Sequence, residues 1–215
     1  MDGAVMTALV PRRVIIMGTG GFALELSALL MAAGGVVTGF TGPAPDCALP
    51  APWLGEDHVL ADADPESAVL VAAGNPGLRQ NLLRTAEGLG RRIASFVHPA
   101  AWVAPSAGIG AGSLIYPNST LHAAVRLGQG VLINSNVTIG HETEIGAFTN
   151  LGPGCSLGGR TRLGERVIVG IGATIIERLE ICDDAVIGAG AAVIRPLSRP
   201  GRWVGVPARW LEQNP

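Results

Sequence analysis

Ile133-Asn134-Ser135-Asn136-Val137-Thr138-Ile139-Gly140-His141-Glu142-Thr143-Glu144-Ile145 decides the fold. Its three isoleucines stand six residues apart, and the same phase runs unbroken from Val103 to Val193. The anchors are Val103, Ile109, Ile115, Leu121, Leu127, Ile133, Ile139, Ile145, Leu151, Leu157, Leu163, Val169, Ile175, Ile181, Ile187 and Val193. A period of six fits neither the helical repeat of about 3.6 residues nor the two-residue alternation of a simple strand. It is the repeat of a hexapeptide parallel β-helix, in which short strands stack coil upon coil. The fourth residue after each anchor agrees: Ala107, Ser113, Ser119, Val125, Val131, Val137, Thr143, Thr149, Cys155, Thr161 and Val167 are small or β-branched, as a narrow interior requires.

Composition fits this reading. At 215 residues and 48% hydrophobic, the chain can bury one large domain and a smaller one. Its 31 glycines suit a solenoid that turns a tight corner every few residues. A formal charge of −2 and a pI near 6.1 give no bulk attraction to nucleic acid or to an anionic membrane. No apolar run approaches the roughly 18–20 residues of a membrane span. Met1 to Arg13 places its arginines after a weak apolar segment, the wrong order for a secretory signal. Cys47, Cys155 and Cys182 are irregularly spaced, so they point to neither a disulfide framework nor a zinc motif, and Cys155 reads as a small core residue. The expectation is a cytoplasmic protein with no metal, no nucleic-acid partner and no membrane span.

A different kind of sequence precedes the hexads. Arg13 to Met17 reads as a strand, Gly18-Thr19-Gly20-Gly21 as a turn, and residues 22–33 as a helix. A second strand is expected from Val36 to Phe40, a loop over the Pro-rich 41–52, and a third strand from Ala68 to Ala73. A helix over 77–89 and a last strand over 93–97 complete an α/β unit, a small Rossmann-like parallel sheet with ligands expected at the carboxyl ends of its strands. The domains expected are 1–97 for this unit, 98–198 for the β-helix and 199–215 for a C-terminal cap, since a solenoid end must be closed.

His141 and Glu142 are the sharpest chemical candidates. They follow the anchor Ile139 at a corner that projects away from the coil interior. Histidine is matched to accept a proton near neutral pH, and an adjacent carboxylate would orient the ring and favour its protonated form. Spacing alone leaves an ordinary polar corner equally open. His122 reads as a surface or interface residue, His98 as structural and His58 as solvated, and no metal-ligand spacing or nucleophile elbow occurs. Gly18-x-Gly20-x-x-Ala23 fits the relaxed dinucleotide fingerprint, because amides at a helix N-terminus attract phosphate. The acidic residue that a nicotinamide site needs is missing, since Thr41 and Gly42 follow the second strand. The turn therefore reads as a nucleotide or nucleotide-sugar site.

Taken together, Gly18-Thr19-Gly20-Gly21-Phe22, Ala73-Gly74-Asn75-Pro76, Val97-His98-Pro99-Ala100, the hexads, His141-Glu142 and Gly205-Val206-Pro207-Ala208-Arg209 resemble the sialic-acid and bacillosamine type of sugar acetyltransferases, within the left-handed β-helix acyltransferases. The resemblance implies a left-handed parallel β-helix, a homotrimer, and acetyl-CoA held in a groove between chains. It implies His141 as general base, Glu142 as the residue that raises its basicity, and the Gly159 amide as the group that binds the acetyl carbonyl. Asn150, Ile171 and Ala189 would contact the cofactor, and Gly20, Gly21, Phe22, Gly74 and Asn75 the nucleotide-linked amino sugar. The chain departs from the bacillosamine-pathway members where those commonly carry His, at Phe22 and Asn150, and where they carry paired aspartates, at Thr41 and Gly42.

The activity expected is N-acetyl transfer from acetyl-CoA to a nucleotide-linked amino sugar, a 4-amino-4,6-dideoxy sugar being preferred, in glycan or polysaccharide biosynthesis. Two rivals stand beside it: O-acetyl transfer to a sugar hydroxyl, and a non-catalytic trimeric scaffold.

Overall fold

The computed structural model describes residues 9–212. These fall into two compact units, one ending at Pro99 and the other beginning at Ala100.

The first unit is built from β1 (Arg13–Met17), α1 (Gly21–Ala32), β2 (Val36–Thr41), β3 (Trp53–Gly55), β4 (Ala68–Val71) and α2 (Pro76–Gly88). Its sheet is parallel, in the order β3-β2-β1-β4. Val14, Ile15, Ile16 and Met17 on the central strand are buried, as are Leu26 and Leu30 of α1, Phe40 of β2 and Leu70 of β4. A run buried on both faces is what a parallel strand covered by helices requires.

Several boundaries differ from the sequence expectation. The third expected strand stops at Val71, because the Ala72 amide takes the Met17 carbonyl and β1 offers nothing beyond it. The expected strand over 93–97 is reduced to Phe96–Val97, with Ile93 making a lone bridge to Val69. Just past the expected loop, β3 adds a fourth strand, followed by a 3-10 turn over Asp57–Asp62. Three residues are too few to show alternation, so composition hid this strand.

The second unit is the left-handed parallel β-helix. Each coil has 18 residues, so that Leu127 pairs in register with both Ile109 and Ile145, and Ile139 with both Leu121 and Leu157. The anchors therefore stack upon themselves in three columns, and all are buried except the half-buried Ile109. One outer face carries Arg126, Glu144, Arg162 and Glu180, a second Thr138, Ser156 and Thr174, and a third Leu132, Asn150, Ile168 and Val186.

Corners carry the conformational demand. From Gly112 to Gly190 every sixth residue has a positive φ, between 55° and 72°. Nine of these positions hold something other than glycine, Glu142, Arg160 and Arg178 among them. A left-handed conformation costs a side-chain-bearing residue about 1–2 kcal/mol, so such residues at these corners need a reason.

The interior hydroxyls are satisfied internally. Thr149 Oγ1 donates to the Gly164 carbonyl at 2.9 Å and accepts from the Val167 amide at 3.0 Å. Ser119 does the same with Asn134 and Val137, so these side chains are structural. After Val193 the repeat changes: Ile181 bridges Leu197 and Ala185 pairs with Gly201, both two residues short of the coil length. The hairpin of Gly201–Val204 and Arg209–Trp210 then lies over the last coil.

Candidate active site

His141 and Glu142 sit at one corner of the β-helix, with 59% of the histidine side chain open to solvent. His141 Nδ1 lies 2.8 Å from Glu142 Oε2. With the proton on Nδ1 donated to the carboxylate, Nε2 carries the free lone pair. The same Oε2 accepts a second hydrogen bond, from Arg160 Nε at 2.9 Å. The His141 ring first, and then the Arg160 guanidinium, hold the Glu142 carboxyl below its ordinary value of 4.5. Arg160 escaped the sequence reading. Its signal was present, because it lies one coil of 18 residues beyond Glu142.

Gly159 stands one coil below His141 in the same corner column. A Cβ on Gly159 would stand 2.8 Å from His141 Nε2, so the missing side chain is what lets the ring lie over this backbone. The Gly159 carbonyl accepts from the Arg178 amide at 3.0 Å. Its own N–H makes no hydrogen bond among the described residues. The site thus pairs a proton acceptor with an open backbone donor, the two parts that acyl transfer uses.

The remaining residues of the expected cofactor set lie elsewhere on the solenoid. Ile171 and Ala189 stack on a different corner, exposed, and their backbone N–H groups are likewise outside the coil ladder. Asn150 is half-buried on the face it shares with Leu132 and Ile168. Within one chain, then, His141 and Gly159 come together, while Ile171 and Ala189 lie across the Thr138–Ser156–Thr174 face from them.

In the first unit the structure gathers the expected sugar-nucleotide residues at one edge of the sheet. Gly20, Gly21 and Phe22 follow β1, and Gly74 and Asn75 follow β4, the strand paired with it. Gly20 caps α1 without a side-chain hydrogen bond, and no acidic residue sits in the first turn, which leaves that N-terminus suited to an anion. Asn75 is different. Its Oδ1 accepts from the Leu78 amide at 2.9 Å and closes the N-terminus of α2.

Two further residues at this edge were not read from sequence. Arg79 is fully buried and donates from Nη1 to the Ala73 carbonyl at 2.7 Å, and burial pulls its guanidinium down to about 10. Asp57 accepts from Thr41 Oγ1 at 2.8 Å, so a carboxylate reaches the end of β2 through space. A surface cavity of about 410 Å³ lined by Gly42, Pro43, Glu56, Asp57 and His58 opens beside it. No signal at the expected spacing marked Asp57, because β3 and its following turn bring it there.

Other candidates separate cleanly. His122 is exposed and meets Trp102 edge-on, with ring centroids 5.7 Å apart. His58 is exposed, and the half-buried His98 is held below its ordinary value by burial. Cys155 is buried in the coil, and burial pushes its thiol up to about 12. Among the described residues, no group of His, Cys, Asp and Glu could hold a metal ion, and no helix is long and apolar enough to cross a membrane.

Comparison with solved structures decides the family. The chain is similar to the acetyltransferase domain of PglB from Neisseria gonorrhoeae FA1090, in complex with acetyl coenzyme A, at 31% identity over 93% of this chain and 99% of that one, with a TM-score of 0.85. It is also similar to the H141N mutant (that protein's own numbering) of perosamine N-acetyltransferase from Caulobacter crescentus, in complex with CoA and GDP-perosamine. That match has 30% identity over 96% of this chain and all of the other, with a TM-score of 0.89. The chain belongs to the hexapeptide-repeat sugar acetyltransferases. As a sugar acetyltransferase it is an enzyme of acyl transfer. WeeI from Acinetobacter baumannii AYE, 23% identical over 93% of this chain, shares the acetyltransferase's fold with a TM-score of 0.82. No protein-family model and no curated protein matches the chain.

Proposed function

We propose that this acetyltransferase moves the acetyl group of acetyl-CoA onto the amine of a nucleotide-linked amino sugar, with His141 as general base. The observation that carries this is the corner itself: a His141–Glu142 pair at 2.8 Å, its ring lying over a glycine whose N–H makes no hydrogen bond among the described residues. The neighbours support the substrate class, one being a perosamine N-acetyltransferase with CoA and GDP-perosamine bound.

In this reading the sugar amine attacks the thioester carbonyl while Nε2 of His141 takes its proton. The Gly159 N–H donates to the oxyanion that develops, and the carbon–sulfur bond breaks as the tetrahedral intermediate collapses, leaving CoA thiolate and the amide. Glu142 holds the Nδ1 proton throughout, which keeps the accepting nitrogen facing outward. A general base contributes ~10²–10⁴-fold and an oxyanion donor ~10²–10³-fold. Gly20, Gly21, Phe22, Gly74 and Asn75 hold the nucleotide-sugar, Asn75 through its amide N–H groups because its oxygen is engaged as a cap.

The assembly proposed is a homotrimer with its β-helices parallel. In support, Ile171 and Ala189 share no corner with His141 and Gly159, so one acetyl-CoA meets both sets where a second copy supplies one of them. The enzyme is placed in the cytoplasm, in glycan or polysaccharide biosynthesis.

The test is release of CoA thiol from acetyl-CoA with UDP- and GDP-linked 4-amino sugars and their 4-hydroxy counterparts. Release with an amino sugar alone supports N-acetyl transfer. Release only with a hydroxyl sugar moves the reading to O-acetyl transfer, and release with none removes it.

A further inference from the structure

Arg178 occupies a left-handed corner, with φ 60°, two coils beyond Glu142 in the same column. Other charged residues in such corners have visible compensation. Glu142 and Arg160 bind each other, and Arg166 and Asp184 bind each other through Nε–Oδ1 at 2.8 Å. The Arg178 side chain makes no ion pair or hydrogen bond among the described residues, and it is exposed. Equivalent corners at 154, 172 and 190 carry glycine, which meets the backbone demand without strain. An arginine held there with no internal partner points outward, to a ligand.

Its surroundings narrow the ligand. Arg178 lines a surface cavity of about 460 Å³ with Arg126, Glu142, Glu144, Arg160, Arg162 and Glu180. The three carboxylates are engaged: Glu142 by Arg160 and His141, and Glu144 and Glu180 on either side of Arg162, at 3.6 and 3.9 Å. That leaves Arg126 and Arg178 as the two guanidiniums of this cavity without an ion pair among the described residues, and the cavity with a positive surplus. Neutral corners would serve packing as well, so an open guanidinium at the Arg178 end of the cavity, three coils from the corner beside Arg126, matches an anion with several oxygens.

We propose that Arg178 is a diphosphate-binding residue, closing one end of this cavity on the diphosphate of a substrate. The proposal rests on the acyltransferase reading above, because both substrates of that reaction carry a diphosphate. Two coils separate Arg178 from Glu142, about 10 Å at the ladder spacing, and one coil separates it from Gly159, whose carbonyl accepts from the Arg178 amide. Coenzyme A and the nucleotide-sugar share this chemistry and are distinguished by experiment.

The experiment titrates CoA, UDP and GDP separately into the wild-type protein, Arg178→Gly and Arg178→Lys by calorimetry. Glycine suits the corner, so the fold is kept, and circular dichroism with Tm verifies it. Loss of a charge-assisted bidentate contact weakens binding roughly tenfold or more, with Arg178→Lys between the two. A loss for CoA alone assigns the residue to the acyl donor, and a loss for a nucleoside diphosphate alone assigns it to the acceptor. Unchanged affinity for every ligand that binds the wild type overturns the proposal and leaves the acyltransferase reading standing. A wild type that binds none of them overturns both.

Discussion

Arg160 Nε lies 2.9 Å from the same Glu142 oxygen that accepts from the His141 ring, so one carboxylate oxygen joins two successive coils at the reacting corner. The ion pair is open to solvent, and its weight lies in geometry rather than in stability. Arg160 draws on the carboxylate that orients the histidine. The first prediction therefore concerns Glu142. Its carboxyl titrates below 4.5, held there by the His141 ring first and by Arg160 second. The folded state favours the ionised form. That contribution is complete above the ordinary value and is lost as pH falls through the lowered one. In Arg160→Gln the Glu142 midpoint, followed by carbon NMR of its carboxyl, moves up toward 4.5. An unmoved midpoint would show that Arg160 does not act on this carboxylate.

Glu142 holds a left-handed corner, with φ 58°, that glycine would occupy without strain. Glu142→Gly should thus keep or raise Tm while it removes the carboxylate that fixes the His141 tautomer. Turnover is expected to fall roughly tenfold or more. Stability and activity falling together would contradict a purely orienting role.

Two glycines of this corner separate packing from chemistry. Gly159→Ala places its Cβ against His141 Nε2, and the ring can swing aside. The fold survives, and misplacement of the base lowers kcat by up to ~10²-fold. Gly140→Ala instead meets the Gly159 backbone, which cannot yield. It is expected to lose about 1–3 kcal/mol of stability in urea unfolding. Equal Tm for the two variants would rule out this division.

Cysteine labelling reads the core. Burial pushes the Cys155 thiol to about 12 and also raises that of the half-buried Cys182, whereas Cys47 is exposed. At pH 8 iodoacetamide should modify Cys47 first, Cys182 slowly and Cys155 only after unfolding, as peptide mass mapping will show. Rapid native labelling of Cys155 would mean that the coil interior opens.

How much of this was legible in the sequence differs from region to region. The anchors announce themselves because each must fill the same small interior space, which repeats every six residues. His141 and Glu142 stand out because they are chain neighbours. Arg160 and Gly159 meet them only through the stacking of coils, a relation of 18 residues that a six-residue pattern contains but does not display. Asp57 reaches Thr41 across the sheet edge after a strand of three residues, too short to leave a pattern. Arg79 looks like any helical arginine in sequence, and only packing buries it. Contacts made by periodic or adjacent residues could be read, and those made by the fold alone could not.

The central claim is that His141 removes the proton of the attacking group. The direct measurement compares wild type and His141→Asn for turnover with acetyl-CoA and an amino-sugar nucleotide, alongside calorimetric affinity for CoA. The account predicts turnover lower by ~10²–10⁴-fold, with CoA affinity within about twofold because binding and proton transfer are carried by different groups. Wild-type turnover in His141→Asn would contradict it.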